Sequence, residues 1–224
     1  MEEEKVMDFA IAETFDSIQG EGFWVGTRMF FIRMAGCSVG KPRFEGEIFQ
    51  ECQTIIGQKF TCDTDFEFKA RVRLETLLQL VPDKVRHVCI TGGEPMTRAS
   101  LGDLVLELNK RGIMVHIETS GTVVRQFVVD DTLNQRNIWI TVSPKIDCDT
   151  MMLARANEIK LLIDKHFDLS KLPKLILTHP NVYVQPINGV ESLDEVNLEL
   201  AKDLVMTRMP DWKLSMQAHK VWGM

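Results

Sequence analysis

The sequence predicts an α/β fold with a largely parallel sheet in one domain. Three observations carry this expectation. Short β-branched and aromatic runs alternate with stretches of helical apolar spacing along the chain. The 224 residues are 45% hydrophobic and 26% charged, an ordinary globular balance that supplies ample core without staples. Polar clusters rich in Gly, Pro, Ser and Thr stand at the carboxyl ends of the predicted strands, where parallel sheets place their ligands.

Taken in order, Phe9 to Ile18 mixes β-branched and aromatic residues and predicts a strand, broken by Gln19-Gly20-Glu21-Gly22. Arg28 to Met34 is a short apolar run bounded by turn residues, as in a buried strand, and it delivers Arg33 and Cys37 to its carboxyl end. Arg73 to Val81 carries Leu74, Leu77, Leu78 and Val81 at helical spacing and stops at Pro82. His87 to Thr91 is β-rich and ends in Gly92-Gly93-Glu94-Pro95. Leu101 to Lys110 predicts a helix, with Ser100 as N-cap and Gly112 beyond its end. Ile113 to Ile117 is the next strand, closed by Glu118-Thr119-Ser120-Gly121. Asn137 to Val142 is a strand before Ser143-Pro144-Lys145, Thr150 to Ala156 a short helix, and Glu158 to Ile163 another strand. Asn181 to Gln185 is a strand ending at Pro186, Leu193 to Met206 an amphipathic helix, and Trp212 to Met216 a final strand.

One stretch breaks the alternation. Cys37 to Thr64 holds three of the five cysteines, Cys37, Cys52 and Cys62, with no sustained helical or alternating period. A loop this long is uncommon in a compact domain unless it has a function. Three thiols in a polar loop suggest a bound metal or an iron–sulfur cluster with one iron left open. A structural zinc site is the bland alternative, but zinc prefers four ligands with a closely spaced pair, and no two of these cysteines lie two to four residues apart. Cys89, inside a predicted strand, and Cys148 read as structural.

The formal net charge of −6 argues against non-specific nucleic-acid binding. An odd number of cysteines and no opening signal peptide argue against a secreted disulfide framework and predict a cytoplasmic protein with reduced thiols. No run approaches a transmembrane length, so no membrane association is expected.

Several motifs occur in order over nearly the whole chain. They are Ser17-Ile18-Gln19-Gly20-Glu21-Gly22, Phe31-Ile32-Arg33-Met34-Ala35-Gly36-Cys37, Cys62-Asp63-Thr64, Ile90-Thr91-Gly92-Gly93-Glu94-Pro95 and Ile117-Glu118-Thr119-Ser120-Gly121. Val142-Ser143-Pro144-Lys145, Gln185-Pro186 and Leu214-Ser215-Met216-Gln217-Ala218-His219-Lys220 complete the set. In these motifs the chain resembles the radical S-adenosylmethionine enzymes. More specifically, it is similar to the 7-carboxy-7-deazaguanine synthases, ring-contracting enzymes of the queuosine pathway.

The resemblance implies an incomplete (βα) barrel spanning 1–224, with 38–61 as an enlarged, inserted cluster-binding loop. It implies that Cys37, Cys52 and Cys62 ligate a [4Fe–4S] cluster. The gap of fourteen residues before Cys52 matches an extended variant, whereas the nine before Cys62 replace the usual two, so Cys52 is assigned by elimination. Thr64 is the implied Mg²⁺ ligand. Ile18, Gln19, Gly20, Arg33, Thr91 and the terminal Met224 are the implied substrate contacts. Gly93, Glu94, Glu118, Ser120, Ser143, Pro144, Lys145, Gln185, Pro186, Ile187 and Asn188 are the implied S-adenosylmethionine contacts. His219 is a candidate catalytic residue, against the bland reading of a surface histidine near the chain end.

By the same resemblance the reaction is radical ring contraction of 6-carboxy-5,6,7,8-tetrahydropterin to 7-carboxy-7-deazaguanine with release of ammonia. It implies a flavodoxin-like one-electron reductant and a homodimer. Two rivals stand beside it. A glycyl-radical activating enzyme would share the cluster but act on a protein. A non-enzymatic zinc-binding adaptor would share only the cysteines.

Overall fold

The computed structural model describes residues 7–42, 50–129, 137–189 and 192–222. In chain order the elements are β1 (Asp8–Ile18), β2 (Arg28–Met34), β3 (Lys41–Pro42), β4 (Gln50–Gln53), β5 (Lys59–Cys62), β6 (Ala70–Arg73), α1 (Leu74–Leu80), β7 (His87–Gly92), α2 (Leu101–Lys110) and β8 (Met114–Thr119). They continue with α3 (Gln126–Val129), β9 (Ile138–Val142), α4 (Thr150–Arg155), β10 (Glu158–Ile163), α5 (Lys174–Leu177), β11 (Val182–Pro186), α6 (Glu195–Asp203), β12 (Lys213–Leu214) and α7 (Ala218–Trp222).

Nine strands form one sheet in the order β12-β11-β10-β9-β8-β7-β2-β1-β6. Every neighbouring pair from β2 to β12 is parallel, and β1 runs antiparallel to both β2 and β6. Among the described residues β12 and β6 are the edges, so the sheet is open. The mixed α/β class with a mainly parallel sheet agrees with the sequence.

Register explains how the strands divide core from cavity. Ile32, Ile90, Ile117 and Ile140 stand side by side across four strands, and all are fully buried. Val142, Ile159 and Val182 continue the apolar face. Leu77 of α1, Leu101, Leu104 and Leu108 of α2, Met152 of α4 and Ile176 of α5 join the same core. Each such side chain contributes about 1.5–3 kcal/mol on burial. The strand period of two then sends Thr91, Glu118, Thr141 and Lys160, each one residue beyond an isoleucine, to the opposite face.

Three expectations differ in detail. Among the described residues of the cysteine stretch, β3, β4 and β5 make a separate three-stranded antiparallel sheet rather than an irregular loop. Strands of two to four residues are too short for alternation to stand out in sequence. The helix expected over Leu193 to Met206 begins at Glu195, with the Asp194 side chain accepting from Asn197 N at 2.9 Å, and it widens into a π-turn over Leu204–Arg208. Ser100 precedes α2 as expected, but its side chain makes no capping hydrogen bond. No helix among the described residues is long and apolar enough to cross a membrane.

Candidate active site

The carboxyl ends of the parallel strands surround a cavity of about 710 Å³. That volume lies within the usual span of about 300–1,000 Å³ for small-molecule sites. Cys37, Cys52, Cys62 and Thr64 line the cavity together with Gln19, Arg33, Thr91, Glu118 and Lys160.

The small sheet organises the thiols. Cys52 pairs with Phe60 across β4 and β5, and Cys62 lies two residues beyond Phe60, so both cysteines share one face as diagonal neighbours. Diagonal pairs stand about 7–8 Å apart at the backbone. Cys37, just after β2, accepts N–H bonds from Val39 and Gly40 at 3.4 Å each. Burial pushes the Cys37 and Cys52 thiols up, and negative charge on Cys62 acts on each in the same direction. Lys145 lies close by. Burial lowers its affinity for a proton, while the Cys52 thiol opposes that shift. Its Nζ donates to Ser143 O at 2.8 Å and Ser143 Oγ at 2.7 Å and stands 5.7 Å from the Phe60 ring centre.

Gly92 and Gly93 are required by close approach of the chain to itself. Gly92 has φ +115°, and a Cβ on Gly93 would fall 1.8 Å from Gly36 O. Gly93 N donates to Met34 O at 3.1 Å and Glu94 N to Gly36 O at 3.2 Å, which fixes the end of β7 against the residue preceding Cys37. Glu94 is fully buried below the cavity and does not line it. Its carboxylate accepts from Met96 N at 3.0 Å, Thr119 Oγ1 at 2.7 Å, Ser120 N at 2.8 Å and the Ser120 hydroxyl.

Glu118, Lys160 and Glu21 form an ionic network in the same cavity. Glu118 accepts from Gln19 Nε2 at 3.0 Å and Thr91 Oγ1 at 3.1 Å, and lies 3.8 Å from Lys160 Nζ. Lys160 also pairs with Glu21, which accepts from Gln185 Nε2 at 3.2 Å. Burial disfavours charge on Glu118, but Lys160 and the two neutral donors outweigh it, so its carboxyl sits below the usual range. Burial likewise opposes charge on Lys160, yet Glu118 and Glu21 hold it protonated. Arg33 packs against the Phe15 ring and pairs with Glu13, and its buried Nε has no hydrogen-bond partner among the described residues.

No family model matches the chain. It is 34% identical over 227 residues to the 7-carboxy-7-deazaguanine synthase of Burkholderia multivorans, covering 96% of this chain and 98% of that one. The enzyme of the same name from Synechocystis is 33% identical over 222 residues, covering 97% and 94%. The chain belongs to the 7-carboxy-7-deazaguanine synthase family. The crystal structure of QueE from Escherichia coli superposes with a TM-score of 0.67 at 31% identity, covering 95% of each chain. Streptococcus suis SuiB bound to its precursor peptide SuiA shares the fold over 68% of this chain and 44% of its own, at a TM-score of 0.51 and 13% identity.

Set against the residues that the family resemblance singles out, the cavity brings most of them together. Ile18, Gly20, Gly93, Ser120, Ser143, Gln185, Pro186, Ile187 and Asn188 line it alongside the residues already named. Glu94 and Pro144 do not line it. Met224 and the side chain of His219 lie outside the described residues.

The donor set suits the cofactors the family implies. Among the described residues no three His, Cys, Asp or Glu side chains converge on one metal ion. Three thiolates that each ligate a different iron of one cluster need not converge on a single point.

Sequence reasoning missed Glu21, Lys160 and Asp63 as members of the site. For Lys160 a signal existed: Glu158 and Lys160 alternate with isoleucine and leucine in a parallel strand that is otherwise apolar.

Proposed function

We propose that this chain contracts 6-carboxy-5,6,7,8-tetrahydropterin to 7-carboxy-7-deazaguanine with release of ammonia. It would use a [4Fe–4S] cluster, S-adenosylmethionine and Mg²⁺. The observation that carries this reading is a cavity lined both by three thiols and by Gln19, Arg33, Thr91 and Glu118. When bound, the cluster supplies the electron that splits S-adenosylmethionine and so begins hydrogen abstraction from the substrate.

The residues then have distinct tasks. Cys37, Cys52 and Cys62 would hold the cluster through their thiolates. Gly93, Ser120, Ser143, Lys145 and the Gln185 to Asn188 turn cradle S-adenosylmethionine, while Pro144 acts only through its neighbours Ser143 and Lys145 and Glu94 acts by fixing Ser120. Glu118 belongs with the substrate rather than with S-adenosylmethionine, because its partners are Gln19 and Thr91. Kept ionised by Lys160, it is a pure acceptor for the N–H edge of the pterin ring. Ile18 and Gly20 flank that ring. The Arg33 guanidinium, which lines the cavity, is a donor for the substrate carboxylate. Thr64 offers a hydroxyl to Mg²⁺, a hard cation that keeps few protein ligands and takes the rest from water and substrate.

The remaining expectations extend this reading. The open sheet curves as an incomplete barrel in a single domain, and 38–61 is its cluster loop. Met224 stays an implied substrate contact and His219 a candidate catalytic residue. The active form is a cytoplasmic homodimer reduced by a flavodoxin-like protein. The direct test reconstitutes the protein anaerobically with iron and sulfide, then adds the tetrahydropterin, S-adenosylmethionine, Mg²⁺ and reductant. Ammonia and the carboxy-deazaguanine should form together. A fully loaded cluster with neither product would overturn the function.

A further inference from the structure

The segment after β12 is stitched to three separate loops at the cavity mouth. Ser215 Oγ accepts from Gly22 N at 3.1 Å and donates to Gln185 Oε1 at 3.0 Å, and Ala218 N donates to Gly20 O at 3.0 Å. Gln217 is held at its oxygen by Asn188 Nδ2 at 3.1 Å and donates from Nε2 to Asp63 Oδ2 at 3.0 Å. Lys220 Nζ donates to the same Asp63 oxygen at 2.8 Å and to Gly189 O at 2.7 Å. The Lys220 side chain is only 7% exposed, so this is not a loose surface pair. Asp63, Gln217 and Lys220 all line the cavity.

Asp63 has a special place in the chain, between Cys62 and Thr64. Its backbone cannot move without moving both neighbours, and its carboxylate is the point where the C-terminal segment grips the cysteine loop. We propose that Lys220 and Gln217 are positioning residues that act through Asp63. Together they clamp the Cys62-Asp63-Thr64 turn and so hold the Thr64 hydroxyl at its working place. This rests on the reading of Cys62 and Thr64 given above. A charge-assisted bond to a mostly buried ammonium, backed by a second donor, is a stronger anchor than an exposed ion pair.

Two kinds of measurement test the clamp. In the cluster-free protein, Lys220→Met should speed amide hydrogen exchange about tenfold over residues 61–65 and 215–222 and leave α2 unchanged. In the reconstituted enzyme, Lys220→Met and Asp63→Asn should each raise the Mg²⁺ concentration for half-maximal rate about tenfold, with iron content intact. The double variant should be no worse than either single one, because both changes break the same connection. Lys220→Arg, which keeps the charge, should recover most of the loss. Effects that multiply in the double variant would overturn the proposal. So would exchange at 61–65 that does not respond to Lys220→Met. An active wild type with an unaffected Lys220→Met removes the clamp alone, whereas an inactive, fully loaded wild type removes the functional reading.

Discussion

Gly93→Ala probes the tightest joint of the site. The added methyl would start 1.8 Å from Gly36 O and 2.4 Å from Gly36 C, both backbone atoms with no rotamer to yield. Restoring ordinary contact near 3.5 Å requires the two chains to part by roughly 1.5 Å. The hydrogen bonds from Gly93 N to Met34 O and from Glu94 N to Gly36 O oppose that separation. The displaced peptide leads directly into Cys37, so the strain falls on a cavity thiol. Overpacking of this kind costs about 1–3 kcal/mol of stability. A displacement near 1 Å costs about 10²-fold in rate. The assay is product formation under anaerobic reconstitution, with iron content and thermal melting followed in parallel. Gly112→Ala is the control: Gly112 has a positive φ, at +71°, which Gly93 lacks, but nothing lies within 4 Å of its Cβ position. It should lose about 1 kcal/mol and keep full activity. A Gly93→Ala enzyme with wild-type rate and iron content would refute the claim that this approach sets the position of Cys37.

Three further outcomes are expected. Lys160→Met strands Glu21 and Glu118 as buried carboxylates without their cation, at a cost of about 3–5 kcal/mol and roughly 10 °C in melting temperature; calorimetry that shows no shift would contradict the network. Burial, then the neighbouring His87, holds His116 down to about 3 from an ordinary 6.5, so the unfolded chain binds a proton that the folded chain refuses between these values. Stability is therefore complete above pH 6.5 and falls as the pH drops toward 3, by up to about 1.4 kcal/mol per unit. Urea unfolding at pH 7 and pH 5 should show this loss in the wild type and a smaller one in His116→Gln; equal losses would count against it. Cys52→Ala should yield protein with little reconstituted iron, and a full complement would pass the ligand role to another cysteine.

Most of the strands and one face of the site were legible because both follow from local pattern. Isoleucines that stack across β2, β7, β8 and β9 appear in sequence as apolar runs, and each run stops at a polar cluster that the parallel topology carries to the same rim. What escaped depends on contacts far apart in the chain. Glu118 is separated from Gln19 by 99 residues, and nothing near it in sequence says that its partners are Gln19, Thr91 and Lys160. β6 escaped for a related reason: Ala70–Arg73 is mostly exposed and becomes a strand only by pairing with the first part of β1. Glu94 reads as a ligand contact beside two glycines, yet its carboxylate serves as an internal brace for Ser120, and its neighbours in sequence give no hint of that.

The register of the small antiparallel sheet bears on how such chains are searched for. Cys52 and Cys62 are neighbours because the β4–β5 ladder pairs Cys52 with Phe60, not because of the number of residues counted between them. Residues added at the turn over 54–58 would lengthen the count and leave the two sulfurs where they are. Separation in space is thus uncoupled from separation along the chain. A search keyed to fixed cysteine intervals would pass over proteins built this way, whereas one keyed to paired strands flanking Thr64 would collect them.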